Sequence, residues 1–211
     1  MSEDDRRPIA SRRSSWAKAL ARAIGRSGIT PNQVSTASVF FAAMGAMTWA
    51  WLTPSAWAWL FGAACAQLRL VCNLIDGMVA IEGGMHTPSG AVFNEAPDRF
   101  ADMLFLVAFG YAALIPWAGW IAAMAAVMTA YVRALGASLG NGQDFSGPLA
   151  KPQRMAVVTM GSVATALEAS VHGTIYAAQL TILVVLAGTS FTVARRLVRL
   201  CRTLAAYGHQ S

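Results

Sequence analysis

Residues 73–98 read NLIDGMVAIEGGMHTPSGAVFNEAPD, and this stretch decides how the rest of the chain is read. It opens the acidic part of an otherwise apolar protein. Glu3, Asp4 and Asp5 lie near the start, whereas Asp76, Glu82, Glu95, Asp98 and Asp102 crowd into 76–102. Carboxylates at the ends of membrane helices are costly unless they are paired, hydrated or bound to a cation, and clustering adds like-charge repulsion. The spacing orders them. Asn73, Asp76 and Ala80 recur at i, i+3, i+7, one face of a helix, and Gly77 beside them lets another group approach the backbone. Asn94, Asp98 and Asp102 recur at i, i+4, i+8, one face of a second helix. Residues 81–93 read as a glycine-rich loop, short enough to make the two helices antiparallel neighbours whose oxygen-bearing faces meet. Carboxylate and amide oxygens suit a hard cation such as magnesium or calcium. Plainer roles stand beside this one: Asn94 as an N-cap with Pro97 in the first turn, Asp102 paired with Arg99, and Asn73 as an interhelical hydrogen bond.

Outward from this stretch the chain is a series of apolar runs. Hydrophobic residues make up 56% of the 211 and charged residues 12%, against roughly 25% charged in a soluble domain. The spacing predicts an all-α, polytopic membrane protein with six transmembrane helices, at 33–52, 56–80, 95–115, 118–138, 152–170 and 174–194, each near the ~20 residues that cross hydrocarbon. Residues 1–10 read as a disordered polar tail. Residues 11–26 read as an amphipathic helix in the membrane interface, with Trp16, Leu20 and Ile24 on one face and Lys18, Arg22 and Arg26 on another. Residues 11–200 form a single membrane domain, followed by a cytoplasmic tail, 201–211.

The net charge is +6 and sits at the ends. Arg6, Arg7, Arg12 and Arg13 crowd the start, and Arg195, Arg196, Arg199 and Arg202 the end. The turns near 53, 116 and 171 carry no Lys or Arg, so both termini and the two longer loops are expected on the cytoplasmic side. No stacking aromatics or nucleic-acid motif accompany the arginines, which argues against a nucleic-acid partner. Cys65, Cys72 and Cys201 lie in or beside apolar segments and read as small hydrophobes.

The 73–98 stretch resembles the signature of the CDP-alcohol phosphotransferases: Asp, two residues, Asp-Gly, two residues, Ala-Arg, eight residues, Gly, three residues, Asp, three residues, Asp. Every spacing matches. Asp76, Gly77, Ala80, Gly90 and Asp98 match in identity, while Asn73 and Asn94 replace the first and third aspartates and Ile81 replaces the arginine. GITPNQVS (28–35) is similar to the family's entry to its first membrane helix, and the run DRFAD (98–102) resembles a variant found with polyol-phosphate acceptors.

The resemblance implies an enzyme of phospholipid biosynthesis. It would transfer a phosphatidyl-type group from a CDP-linked lipid, such as CDP-diacylglycerol, to an alcohol acceptor with release of CMP. In the family, four aspartates hold two divalent metals. Carried over, Asn73, Asp76, Asn94 and Asp98 are the metal ligands, for Mg2+ or Mn2+, and Asp98 is also the catalytic base. Gly77, Ala80 and Gly90 leave room for the donor's cytidine end. Arg69, one turn before Asn73, is a candidate contact to the donor phosphates, with an ion pair to Asp76 as its plainer role. Arg133, Lys151 and Arg154 are candidates to bind the acceptor. The alternative is a catalytically impaired relative that binds nucleotide-lipid or metal without turnover, since two carboxylates are lost. The expected setting is a bacterial inner (cytoplasmic) membrane with the active site facing the cytoplasm, and relatives are often homodimers.

Overall fold

The computed structural model describes residues 14–82 and 90–208. The expected tail at 1–10 lies outside the described residues, as does 83–89, most of the glycine-rich loop; so do the side chains of Ala80 and Asn94. Among the described residues the chain is helical throughout: α1 (Ser15–Arg26), α2 (Pro31–Leu52), α3 (Ala56–Glu82), α4 (Gly90–Ala112), α5 (Pro116–Ser138), α6 (Lys151–His172) and α7 (Tyr176–Gly208).

Local chemistry sets several of these boundaries. At α2 the Thr30 hydroxyl accepts from the Gln33 amide at 3.3 Å, and the Gln33 side chain accepts from the Thr30 amide at 2.9 Å. This capping box, with Pro31 in the first turn, explains why GITPNQVS starts a helix. Proline also opens α5 and α6, and Gly173 closes α6 at φ 67°, where a side chain would be strained. Glu168, near that end, accepts from the Thr174 hydroxyl and from the Tyr176 and Ala177 amides, so its carboxylate caps the start of α7.

Two boundaries differ from expectation. α4 starts at Gly90, not near 95, so Asn94 is inside the helix rather than at its cap and Pro97 lies beyond the first turn. A proline there has no amide hydrogen, which leaves the carbonyl of residue 93 without its helical donor just before Asp98. α7 does not stop near 194 but continues to Gly208, so most of the expected tail is helix.

α2 packs against both α3 and α4, whose backbones come close at few points. α3 and α4 meet instead through long side chains, Trp59 with Phe109, and Arg69 and Asn73 with Asp98. α5 packs on α4 and α7, and α6 joins α3 to α7. Trp49, Trp59, Phe105 and Phe109 form the aromatic centre of the core; the Trp49 and Phe109 rings meet edge-on, centroids 5.0 Å apart. α4 and α5 cross closely. A Cβ on Gly110 would lie 2.6 Å from the Gly119 Cα, so only glycine fits there.

α1 buries Ala17 and Ala21 in a small cluster with Val34, Leu74, Ile75, Met78 and Val79. Of the expected apolar face, Ile24 packs against this cluster while Trp16 and Leu20 remain exposed. Large apolar side chains such as Phe40, Trp51, Trp57, Trp117 and Leu180 also face outward. Among the described residues four helices are long and apolar enough to cross a membrane, at Pro31–Leu52, Ala56–Val79, Pro116–Ser138 and Tyr176–Ala206. α4 and α6 are of similar length, 23 and 22 residues, but carry more polar side chains.

Candidate active site

Three of the clustered carboxylates are buried: Asp76, Asp98 and Asp102. Helical periodicity turns Asp98 and Asp102 of α4 inward, where they meet cations from two other helices. Arg69 of α3 has no exposed surface. Its Nη2 lies 3.0 Å from Asp98 Oδ1 and 2.9 Å from Asp102 Oδ1, and also donates to the Asp98 carbonyl at 3.0 Å. Arg154 of α6, equally enclosed, reaches Asp102 Oδ2 at 2.5 Å. Lys151, at the start of α6, bonds Asp98 Oδ2, and the Asn73 amide donates to Asp98 Oδ1.

Asp76 stands apart from this knot of charge. Its Oδ2 accepts from the Ser35 hydroxyl at 2.6 Å and its Oδ1 from the Gly77 amide at 2.5 Å. The expected pairing of Arg69 with Asp76 is therefore replaced by one with Asp98 and Asp102. The reach of the side chain explains this: from one turn before Asn73, it extends across to α4 rather than along its own helix. The alternative pairing of Asp102 with Arg99 also fails. Arg99 is held by Glu95, four residues earlier, at 2.9 Å, and is 3.8 Å from Asp98. Asn73 makes an interhelical hydrogen bond through its amide, which leaves its carbonyl oxygen as a donor atom for a cation.

The three residues expected to bind an acceptor separate into two places. Lys151 and Arg154 belong to the carboxylate cluster. Arg133, near the end of α5, donates to Gln143 at 2.8 Å and to Glu95 at 2.7 Å, with its guanidinium 5.1 Å from the Phe145 ring centroid. It lines a cavity of 260 Å³ together with Gln143, Arg196 and Arg199. Arg196 holds the loop after α5 in place through the Ser146 and Thr129 carbonyls, at 2.8 and 2.7 Å. Arg199 donates to the Ser146 hydroxyl at 2.7 Å. Asp144 also lines the cavity. Burial pushes its carboxyl up, but hydrogen bonds from Ser146 and the charges of Arg199 and Arg196 outweigh this and hold it below its usual range. Glu95 thus joins the cavity to the cluster, bonded to Arg133 on one side and to Arg99 on the other.

Sequence reasoning missed Ser35, Gln143, Arg196 and Arg199 as parts of the site. Ser35 closes the GITPNQVS stretch, which was a usable signal. Arg196 and Arg199 were read only as charge that fixes orientation.

Oxygen donors for a hard cation are present in Asp76, the Asn73 carbonyl and Asp98. The donor chemistry fits one divalent ion, provided the Lys151 ammonium yields its place on Asp98. Among the described residues no three acidic, histidine or cysteine side chains converge as a metal set.

No protein-family model matches the chain. Among curated proteins it is similar to the phosphatidylinositol phosphate synthases of Mycolicibacterium smegmatis and Mycobacterium marinum. Identity is 29% and 31% over 150 residues, covering 68% of this chain and 65% and 62% of theirs. It is also similar to a bifunctional IPC transferase and DIPP synthase of Rubrobacter xylanophilus, at 33% identity over 152 residues, 69% of this chain and 34% of that protein. The chain thus spans just under two thirds of the synthases and about a third of the bifunctional protein. Among solved structures it resembles Mycobacterium tuberculosis phosphatidylinositol phosphate synthase in complex with manganese and citrate, with a TM-score of 0.73, 21% identity, and 87% and 88% of the two chains covered. The same synthase with CDP-DAG bound gives a TM-score of 0.73 at 20% identity, covering 89% and 94%. The chain has the fold of these synthases. The four apolar helices and the outward-facing large hydrophobics are those of an integral membrane protein.

Proposed function

We propose that the chain is a CDP-alcohol phosphotransferase: it moves a phosphatidyl-type group from a CDP-linked lipid to a hydroxyl of a phosphorylated polyol and releases CMP. The observation that carries this is the placement of Asp98. It lies where α3, α4 and α6 converge, linked through Arg99 and Glu95 to Arg133 of an arginine-lined cavity. The synthase names and the CDP-DAG complex among the similar proteins support the donor and the class of acceptor.

In this reading the acceptor's phosphate occupies the cavity against Arg133, Arg196 and Arg199, where guanidinium groups offer paired donors to phosphate oxygens. Its hydroxyl displaces Lys151 from Asp98 Oδ2. Asp98 takes the hydroxyl proton as the oxygen attacks the phosphatidyl phosphorus, and the bond from that phosphorus to the CMP oxygen breaks. Lys151, released from Asp98, lies beside the leaving phosphate. Gly77, Ala80 and Gly90 leave the donor's cytidine end unobstructed. Arg154 acts through Asp102 rather than on the acceptor. Asp76, Asn73, Asn94 and Asp98 hold a divalent ion, Mg2+ or Mn2+, which when bound supplies charge neutralisation on the donor's phosphates. Ser35 orients Asp76 for that role.

The same reading has six helices crossing the membrane, α2 to α7, with α4 and α6 turning their polar faces inward. α1 lies in the interface through Trp16 and Leu20, and both termini and the site face the cytoplasm of a bacterial inner membrane. A homodimer belongs to it as well, and crosslinking in native lipid checks that.

The test is CMP release by the purified protein in lipid, with CDP-diacylglycerol and a set of polyol phosphates, with and without magnesium or manganese. Metal-dependent release that is lost in Asp98→Asn is the expected result. A protein that binds the CDP-lipid but releases no CMP with any metal or acceptor is instead the impaired relative, a second reading favoured by the engagement of both Asp98 oxygens with Arg69, Asn73 and Lys151.

A further inference from the structure

A carboxylate cluster prepared for two dications should leave carboxylate oxygens without partners, because those lone pairs await the ions. The cluster here is short of partners on the other side. Every oxygen of Asp76 and Asp98 accepts a hydrogen bond. Asp102 Oδ2 bonds Arg154, and Asp102 Oδ1 lies 2.9 Å from Arg69 Nη2. Among the described residues of the cluster, the buried atoms that lack hydrogen-bond partners are four donors, Nε and Nη1 of Arg69 and of Arg154, and one acceptor, Asp102 Oδ1, which is left with the ion-pair contact to Arg69. Arg69, Arg154 and Lys151 already balance the charge of Asp76, Asp98 and Asp102. Two dications added to this set would stand against Arg69, Arg154 and Lys151, with only Asp76, Asp98 and Asp102 to offset them.

The cations differ in permanence. Lys151 begins a helix and keeps 18% of its side chain exposed, so it can withdraw. Arg69 cannot. Its side chain has no exposed surface, it bridges two carboxylates and a carbonyl, and a guanidinium stays charged at every accessible pH. The same helical turn carries Asn73, whose amide donates to Asp98 where a carboxylate would repel it.

We infer that Arg69 is a resident cation standing in for a second divalent ion, so that this site takes one such ion and not two. This rests on the proposal above that Asp76, Asn73, Asn94 and Asp98 hold a divalent ion. Arg69 is a positioning residue in this scheme, fixing Asp98 from behind while the single ion lies on the Asp76 side.

The experiment counts tight Mn2+ sites per chain in lipid nanodiscs without substrate, from the loss of the free-ion paramagnetic resonance signal. Wild type, Arg69→Lys and Arg69→Gln are compared. Glutamine removes the charge and keeps an amide donor on a shorter side chain. One ion in wild type and in Arg69→Lys, rising to two in Arg69→Gln, is the expected result. Two ions in wild type, or one in Arg69→Gln, overturns the inference. No ion in wild type overturns the metal reading beneath it. Should Arg69→Gln be too unstable for counting, manganese is expected to raise its melting temperature to that of wild type with manganese, and failure to do so also overturns the inference.

Discussion

Replacing Asp102 by asparagine removes one negative charge from a place with almost no solvent. Asp102 is 1% exposed, and the two guanidinium groups it serves are not exposed at all. Arg69 keeps Asp98 as a partner, but Arg154 has no other carboxylate among the described residues, since its one ion pair is the 2.5 Å contact to Asp102. Removing one member of a buried pair typically costs about 3–5 kcal/mol, because the surviving charge is left desolvated. For a chain of this size each kcal/mol corresponds to roughly 2–4 °C, so the melting temperature should fall by about 6–20 °C. The assay is thermal unfolding in a fixed detergent or nanodisc, followed by tryptophan fluorescence, since Trp49 and Trp59 are in the core. Arg154→Gln alone should cost a similar amount. The double variant Asp102→Asn with Arg154→Gln should recover about 1 kcal/mol or more relative to the sum of the singles, the usual size of coupling between contacting residues. A fall in Asp102→Asn of less than ~3 °C, or strictly additive losses, would refute the reasoning, because the charges would then be hydrated in a way this packing does not allow.

Other expectations concern separate parts of the molecule. Gly119→Ala places a Cβ 2.7 Å from the Leu106 carbonyl and 2.9 Å from the Gly110 Cα, and overpacking at such a crossing should cost about 1–3 kcal/mol in the same unfolding assay. Glu168→Gln removes a charged cap at the start of α7 and should cost about 1–2 kcal/mol while leaving the catalytic rate unchanged, because the residue lies at the end of α6 away from Lys151. Arg133→Gln should raise the Michaelis constant for the acceptor about tenfold, the equivalent of one lost charge-assisted hydrogen bond, and leave that for the CDP-lipid unaltered; equal effects on both would place Arg133 outside the acceptor site. Ser35→Ala frees one oxygen of Asp76 and should weaken manganese binding several-fold, read by titration without substrate.

The sequence carried the faces of the helices but not their partners. Asp98 and Asp102 could be assigned to one side of α4 because carboxylates four residues apart must share a face, and the start of α2 could be read from Thr30, Pro31 and Gln33 because a capping box is local chemistry. What Arg69 touches was not legible. A long side chain one turn from Asn73 can reach along its own helix or across to another, and only the relative placement of α3 and α4 decides. That placement depends on how both helices pack on α2, a long-range outcome with no local signature. The helix ends were missed for a simpler reason. Residues 195–207 contain neither glycine nor proline, so nothing in RRLVRLCRTLAAY stops α7 once begun. The AVF before Asn94 likewise offers no break, and α4 therefore runs back to Gly90.

α7 has 33 residues; at about 1.5 Å per residue it is some 50 Å long, about 20 Å more than the hydrocarbon layer of a bilayer. About 20 residues counted from Tyr176 bring the helix to Arg195, the first of its arginines. The last third of α7 is then a mast rising clear of the lipid tails, and Arg196, Arg199 and Thr203, which help to wall the cavity, are on that mast. Under the proposed activity, a water-soluble acceptor would dock there without crossing any oil, while a lipid meeting it at the carboxylates would keep its chains in the membrane. The length of one helix would then set two solvents side by side and bring their two solutes to a shared border.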